Sequence, residues 1–335
     1  MKGLVHYGPE AWNMLQGVFC VYKPFDMTTG FLRKAVISNL CRDLNLLKPR
    51  PASPILAIEG NIGERLMVTE KENFADSPLA LGPRYQPKDI KLSWAQYLQK
   101  DVSGVCVLGV NSGSKGTHVV RESRLIRKFT VSGQFGRATD NQFYNGKVLE
   151  KSKYTHVTRG KLTKAIMSIQ SAHQQSSLAY LGLDPHSQEA YEVLSSEGLI
   201  RPGERSPPLI YGLTVVDFTL PDFTIEVSCI NETAMFLKAL VHDIGIKLKT
   251  TAVCTQMRCI RYGPWTLHHA LLRKHWSLEH IINNINVCHP MVKLVKPKTA
   301  GLKRLYHLPV YKWFYERTPI CTCLCPVLHI KFICN

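Results

Sequence analysis

FTIEVSCINETAMFLKALVHDIGIKL, residues 223–248, contains within one short stretch the two hydrophobic periods that a mixed fold requires. From Phe223 to Ile230 apolar and polar residues alternate, the pattern of a half-buried antiparallel strand. Thr233 can then cap a helix, and Phe236, Leu237, Leu240, Val241, Ile244 and Leu248 fall on one broad apolar stripe. A strand with one apolar face followed at once by a helix with one apolar face predicts a helix layer packed on a sheet.

The neighbouring sequence extends this reading. VSGVCVLGV, residues 102–110, is a continuous apolar run suited to a strand buried on both faces, and residues 128–134 read as another strand. GVFCVY, residues 17–22, reads as a buried strand that ends where Lys23-Pro24 removes a backbone donor. A helix is expected from Thr28 or Thr29, with Phe31, Leu32, Val36 and Leu40 on its apolar side. Between Lys48 and Lys91, proline, glycine and polar residues interrupt every period, which predicts a long irregular surface segment with two short strands. Together these elements predict an α+β class with a mixed, mainly antiparallel sheet and flanking helices.

The 335 residues carry 42 Lys+Arg against 25 Asp+Glu, a net +17 that attracts polyanions through phosphate neutralisation and counterion release. The basic residues are spread along the chain instead of clustering in one amphipathic helix, so RNA ranks ahead of an anionic membrane surface as the partner. No run approaches the roughly 18 apolar residues of a membrane span. Seven of the eleven cysteines (Cys20, Cys41, Cys106, Cys229, Cys254, Cys259, Cys288) lack metal-ligand spacing and read as buried thiols in a reducing compartment. Cys321, Cys323, Cys325 and Cys334 lie in an aromatic-rich tail, but C-x-C-x-C lacks the paired knuckles of a structural zinc site, and no metal is expected. His242 and Asp243 are adjacent on a helix and diverge by about 100°, which argues against a dyad.

Four ordered stretches resemble the TruB family of pseudouridine synthases: GVFCVYKPFDMTTG (residues 17–30), LQKDVSGVCVLGVNSGSK (98–115), RKFTVSGQFGRATD (127–140) with NGKVLE after it, and SCINETAMFLKALVHDIGIKLKTTAVCTQMRCIRYG (228–263). The resemblance frames a domain over residues 17–290, with residues 1–16 as an N-terminal tail and 291–335 as an irregular C-terminal tail. It implies the pseudouridine-synthase fold, a cleft that binds RNA and accepts an extruded uridine, and isomerisation of that uridine without any cofactor. The target implied is tRNA or mitochondrial mRNA, with the mitochondrial matrix as location. Residues 1–16, MKGLVHYGPEAWNMLQ, lack the Arg and Ser enrichment of a transit peptide and add little to that expectation.

In this family an aspartate attacks the uridine, a basic residue pairs with it, and an aromatic ring stacks on the base. The aspartate position corresponds to Gln99, whose amide cannot ionise. The basic position corresponds to Lys238, which keeps the charge without the planar fork of arginine, and the stacking position corresponds to Phe129. Two accounts fit these residues: either Asp101, two residues beyond Gln99, supplies a substitute carboxylate, or the site has lost its chemistry and only binds RNA. Lys23, Lys115, Tyr191, Arg258 and Arg261 are the candidate RNA contacts, the four basic residues for phosphate.

Overall fold

The protein is described here by a computed structural model. It describes residues 6–49, 53–60, 63, 65, 67–180, 183, 184, 187, 188, 191, 192, 195 and 207–295. The elements in chain order are α1 (Gly8–Met14), β1 (Gly17–Lys23), α2 (Thr29–Asn45), β2 (Ile55–Glu59), β3 (Met67–Lys71), a single turn α3 (Pro78–Leu81), β4 (Leu92–Trp94), β5 (Val102–Val110), α4 (Gly113–Glu122) and β6 (Arg127–Phe135). There follow β7 (Arg137–Thr139), β8 (Val148–Lys151), α5 (Arg159–Tyr180), β9 (Leu209–Thr219), β10 (Asp222–Ile230), α6 (Ala234–Lys247), β11 (Ala252–Tyr262), β12 (Trp265–Thr266) and α7 (Leu278–Cys288).

One sheet runs β1-β5-β11-β6-β10-β9, with β4 added to β5 and β12 to β11. Every pairing in it is antiparallel except β5 with β11, so the sheet is mixed and mainly antiparallel, as its alternating strands predict. The uniformly apolar β5 is buried at every position because it lies inside the sheet, with β1 on one side and β4 and β11 on the other. β10 shows the half-buried alternation expected of it, and α6 packs its stripe of Leu237, Leu240, Val241 and Ile244 into the same core.

Both predicted caps are present. Phe31 N donates to Thr28 Oγ1 at 3.1 Å, and Phe236 N donates to Thr233 Oγ1 at 3.1 Å, each satisfying an orphan donor of the first turn. Residues 55–71 include the two short strands expected of the irregular segment, paired as an exposed antiparallel ladder.

The domain begins earlier than the resemblance frames it. Ala11 and Leu15 are fully buried and Gly8 N donates to Lys48 O, so α1 is packed on the domain although it falls in the stretch read as a tail. At the other end the core reaches Val295. The cysteine-rich tail lies outside the described residues. The seven cysteines read as buried thiols are all buried and unpaired.

β5 can approach β11 at its start only through glycine. Gly104 has φ +117°, and a Cβ there would stand 2.0 Å from Cys259 O, inside the strand it must pair with. Gly104→Ala is therefore expected to destabilise the fold by roughly 3 kcal/mol or more, because both the backbone conformation and the β5–β11 pairing are lost. Urea unfolding of the purified variant checks this, and a midpoint equal to that of the unaltered chain would refute it.

Candidate functional site

The site is built around the loop that enters β5, residues 95–101. Its backbone is fixed at nearly every step. Ala95 N donates to Val107 O (2.9 Å), Gln96 Nε2 to Val105 O (2.9 Å), Thr29 Oγ1 to Leu98 O (2.9 Å) and Val102 N to Gln99 O (3.1 Å). From below, Lys23 at the end of β1 is completely buried and its Nζ donates to the carbonyls of Val102 (2.6 Å), Pro24 (3.2 Å) and Lys100 (3.4 Å). Burial pulls this ammonium from 10.5 down to about 8, against the opposing pull of Cys106, Asp101 and Asp26. Lys100 pairs with Asp26 at 3.0 Å on the surface, closing the same loop.

A loop held this way presents Asp101 in one place. Lys238, on the second turn of α6, donates through Nζ to Asp101 Oδ2 at 2.5 Å, and the same ammonium lies 4.8 Å from the centre of the Phe143 ring. Lys238 is nearly covered, at 11% side-chain exposure, whereas Asp101 keeps 34%, so the carboxylate can be reached from outside while its partner cannot swing away. Phe143 stacks against Phe25 (6.0 Å) and meets Tyr144 at a tilt (4.8 Å). Phe25 and Tyr144 are 40% and 44% exposed, so the ion pair has accessible aromatic surface beside it. Phe143 and Tyr144 lie outside the four motif stretches, whereas Phe25 falls in the first of them. Adjacent aromatics in the loop NQFYNG were the available signal.

Gln99 takes a different direction. It is exposed and lines a cavity of about 450 Å³, between the loop and the start of α6, whose described lining does not include Asp101 or Lys238. Trp94, Gln96, Phe129 and Glu232 also line it, together with Arg121, Arg124 and Arg127. Arg127 Nη1 pairs with Glu232 Oε1 at 3.0 Å, and both side chains are largely buried. Burial pushes the Glu232 carboxyl from 4.5 up to about 7, against the lowering pull of Arg127.

The remaining candidate residues divide. Lys23 cannot meet a phosphate, because its ammonium is buried and committed to three carbonyls; its place is structural. Phe129 is 1% exposed, an inward position of the alternating strand β6, so its ring forms part of the cavity floor and not an open stacking face. Arg258 is exposed opposite Ser103 in the β5–β11 ladder, two residues from Asp101, with Nε on Tyr22 Oη (3.2 Å) and its guanidinium over the Tyr22 ring. Arg261 is exposed and donates to Gly263 O. Lys115 stands exposed on α4, and Tyr191 is exposed beyond α5; among the described residues neither touches the Asp101–Lys238 pair.

Known proteins share much of this sequence. The pattern of the TruB family pseudouridylate synthase (N terminal domain) matches residues 85–235, which contain the loop of residues 95–101 and stop just before Lys238. Pseudouridylate synthase TRUB2, mitochondrial, of Homo sapiens is 38% identical over 92% of this chain and 95% of its own length, and the protein of that name from Xenopus tropicalis is 36% identical over 90% and 92%. Among solved structures, a chain of the archaeal box H/ACA sRNP Nop10-Cbf5 complex aligns with a TM-score of 0.45 and 13% identity, over 86% of this chain and 62% of that one. The chain belongs to the TruB family of pseudouridylate synthases.

The buried Arg127–Glu232 pair gives a pH test. A carboxyl whose pKa is higher folded than unfolded binds more protons when folded, so its contribution is complete below about 4.5 and is lost as pH rises through about 7. Relative to Glu232→Gln, the unaltered chain should lose on the order of 2 kcal/mol of stability between about pH 5 and 7.5. Urea titrations of both proteins at the two pH values would show parallel behaviour if Glu232 does not titrate there.

Proposed function

We propose that this chain isomerises uridine to pseudouridine in RNA, with Asp101 as the attacking carboxylate and Lys238 as the residue that keeps it ionised and aimed. The single observation that carries the reading is the 2.5 Å Lys238–Asp101 contact. The basic residue of the family's ion pair has found a carboxylate, although position 99 offers none. The reaction is balanced without an added reagent: the bond from C1′ to N1 breaks, one from C1′ to C5 forms, and the proton lost from C5 is replaced by one on N1. What the protein supplies is a nucleophile, its counter-ion and a surface for the extruded base. Phe25 and Tyr144, beside the pair, fit the stacking role better than buried Phe129.

RNA contacts are assigned to Arg258, Arg261, Lys115 and Tyr191, with Arg258 nearest the reacting group. The mitochondrial relatives support a mitochondrial site of action, with the matrix and its tRNA or mRNA as the setting. A second reading is favoured by one observation: Gln99, at the family's aspartate position, faces the cavity and Asp101 does not. On that reading the chain is an RNA-binding factor for mitochondrial RNA processing or assembly that has given up the chemistry.

The test is pseudouridine formation on mitochondrial RNA by the purified chain, run beside Lys238→Met and Lys238→Arg. The first variant should lose activity by about a hundredfold or more, and the second should recover most of it, since only the charge at that position is required. A chain silent in every form but retaining RNA affinity establishes the second reading. Under both readings, raising salt from about 50 to about 200 mM should weaken RNA binding by about tenfold or more; a flat response by filter binding would remove RNA as the partner.

A further inference from the structure

Six cations that lie far apart in the sequence meet where α5 begins and α6 ends. Lys153 follows β8, Arg159, Lys161 and Lys164 open α5, and Lys247 and Lys249 close α6; all six are exposed. Hydrogen bonds fix these segments to one another. Thr250 Oγ1 donates to Lys153 O (3.1 Å), His156 Nε2 to Leu248 O (2.8 Å), Lys161 Nζ to His156 O (2.7 Å) and Lys247 Nζ to Ser168 Oγ (3.0 Å). Ser168 stands one turn beyond Lys164 on α5, so Lys161, Lys164 and the Lys247 ammonium fall in one row along successive turns. Among the described residues none of the six is in an ion pair, whereas Lys71, Lys100, Arg127, Lys128 and Lys238 each hold a carboxylate. The acidic side chains adjoining the six in the chain are Asp243, one turn before Lys247 on α6, and Glu150 on β8, which leaves the cluster strongly positive.

The fold opposes this arrangement at three points. Arg159 and Lys161 occupy the first turn of α5, which carries no acidic residue, and the positive end of the helix dipole repels cations there. Lys161 and Lys164, three residues apart, are like charges at neighbouring positions of one face. Lys249 takes φ +55° as the left-handed residue that ends α6, where Thr250 N donates to Gly245 O (3.0 Å), and glycine or asparagine fills such a position at lower cost. Charge retained against local stability at three points calls for a ligand, and six unneutralised cations call for a polyanion. The surface offers charge without a stacking face, because Tyr154 is packed against the core and the His156 ring is held at Leu248 O. An unpaired strand, whose bases need such a face, gains little here. A duplex, whose bases are hidden and whose phosphates and 2′-hydroxyls point outward, fits it.

We infer that this cluster is a second RNA surface, which holds the sugar–phosphate backbone of a base-paired segment lying outside the reacting uridine. That the polyanion is RNA rests on the proposed function; that the cluster binds a polyanion does not. Lys238 and Lys247 lie on the same helix, about 14 Å apart along its axis, so one RNA can reach both. A backbone contact reads no bases, so it adds affinity and orientation for a structured RNA and leaves the choice of uridine to the site around Asp101.

The experiment measures binding of the full chain, by fluorescence anisotropy across a salt series, to an RNA duplex of about sixteen base pairs and to a uridine-containing single strand of about ten nucleotides. In the unaltered chain the slope of log K against log salt should be steeper for the duplex than for the short strand by about 2. The triple variant Arg159→Glu, Lys164→Glu, Lys249→Asn relieves each of the three conflicts as it removes the charge. It should unfold at a higher urea concentration than the unaltered chain and yet bind the duplex about tenfold or more weaker, with its affinity for the short strand within about threefold. A control with the same change in net charge at exposed positions elsewhere, Lys34→Glu, Lys88→Glu, Lys274→Gln, should keep duplex binding within about threefold. Equal salt slopes for the two RNAs overturn the proposal, as does a triple variant that binds the duplex like the unaltered chain, one that unfolds at a lower urea concentration, or a control that loses as much. Vesicles of phosphatidylcholine and phosphatidylglycerol are run in parallel, and vesicle binding lost in the triple variant with duplex binding retained overturns it in favour of an anionic lipid surface. All of these are binding measurements, so they decide the proposal whether or not the chain forms pseudouridine.

Discussion

The buried ammonium of Lys23 organises the loop of residues 95–101. It collects the carbonyls of Pro24, Lys100 and Val102, the second of which also accepts from Asp26 N, and it thereby ties the end of β1 to the start of β5. Burying a cation is unfavourable, which its lowered proton affinity registers, and the carbonyl dipoles and nearby acidic groups offset part of that cost. The consequence is a loop with little freedom, in which Asp101 is presented to Lys238 by the backbone and not by a search among rotamers.

That constraint explains how a family member can lack an ionisable residue at position 99 and still assemble an ion pair. The loop turns at Gln99, whose carbonyl accepts from Val102 N, and this turn separates two directions: Gln99 toward the cavity, Asp101 toward α6. A cation as covered as Lys238 requires a counter-charge, since an unpaired buried ammonium is far more costly than a paired one. The carboxylate within reach is Asp101, and its partial exposure leaves it open to a substrate. The aromatic group of Phe25, Phe143 and Tyr144 covers the other side of the ammonium, combining a cation–π contact with an open ring surface.

How much of this was legible varied with the physical signal. β5, β10 and α6 were readable because burial imposes period 1, 2 or 3.6 on their side chains, and the caps at Thr28 and Thr233 because a hydroxyl at a helix start has a defined partner. α5 escaped notice: Leu162, Ile166 and Ile169 are its buried face, but polar residues fill the rest of RGKLTKAIMSIQSAHQQSSLAY, so the stripe is narrow. The inward placement of Phe129 was readable from the alternation Phe129, Val131, Gly133, Phe135 and was outweighed by the family correspondence. The fate of Lys23 was not readable, because the carbonyls of Lys100 and Val102, distant in sequence, join that of Pro24 only in the fold. The Lys238–Asp101 contact joins residues 137 positions apart, and the sequence could supply the candidates but not choose between Asp101 and an empty site. The cavity, built from four separate stretches of the chain, left no local pattern at all.

The central claim is that Asp101 has taken the role position 99 no longer fills. The most direct measurement is pseudouridine formation by Asp101→Asn and Gln99→Ala side by side, with RNA affinity measured on the same preparations. The account predicts that Asp101→Asn falls by about ten-thousandfold or more while Gln99→Ala stays within about tenfold, and that both bind RNA as the unaltered chain does. An active chain whose Asp101→Asn variant retains its rate would contradict it.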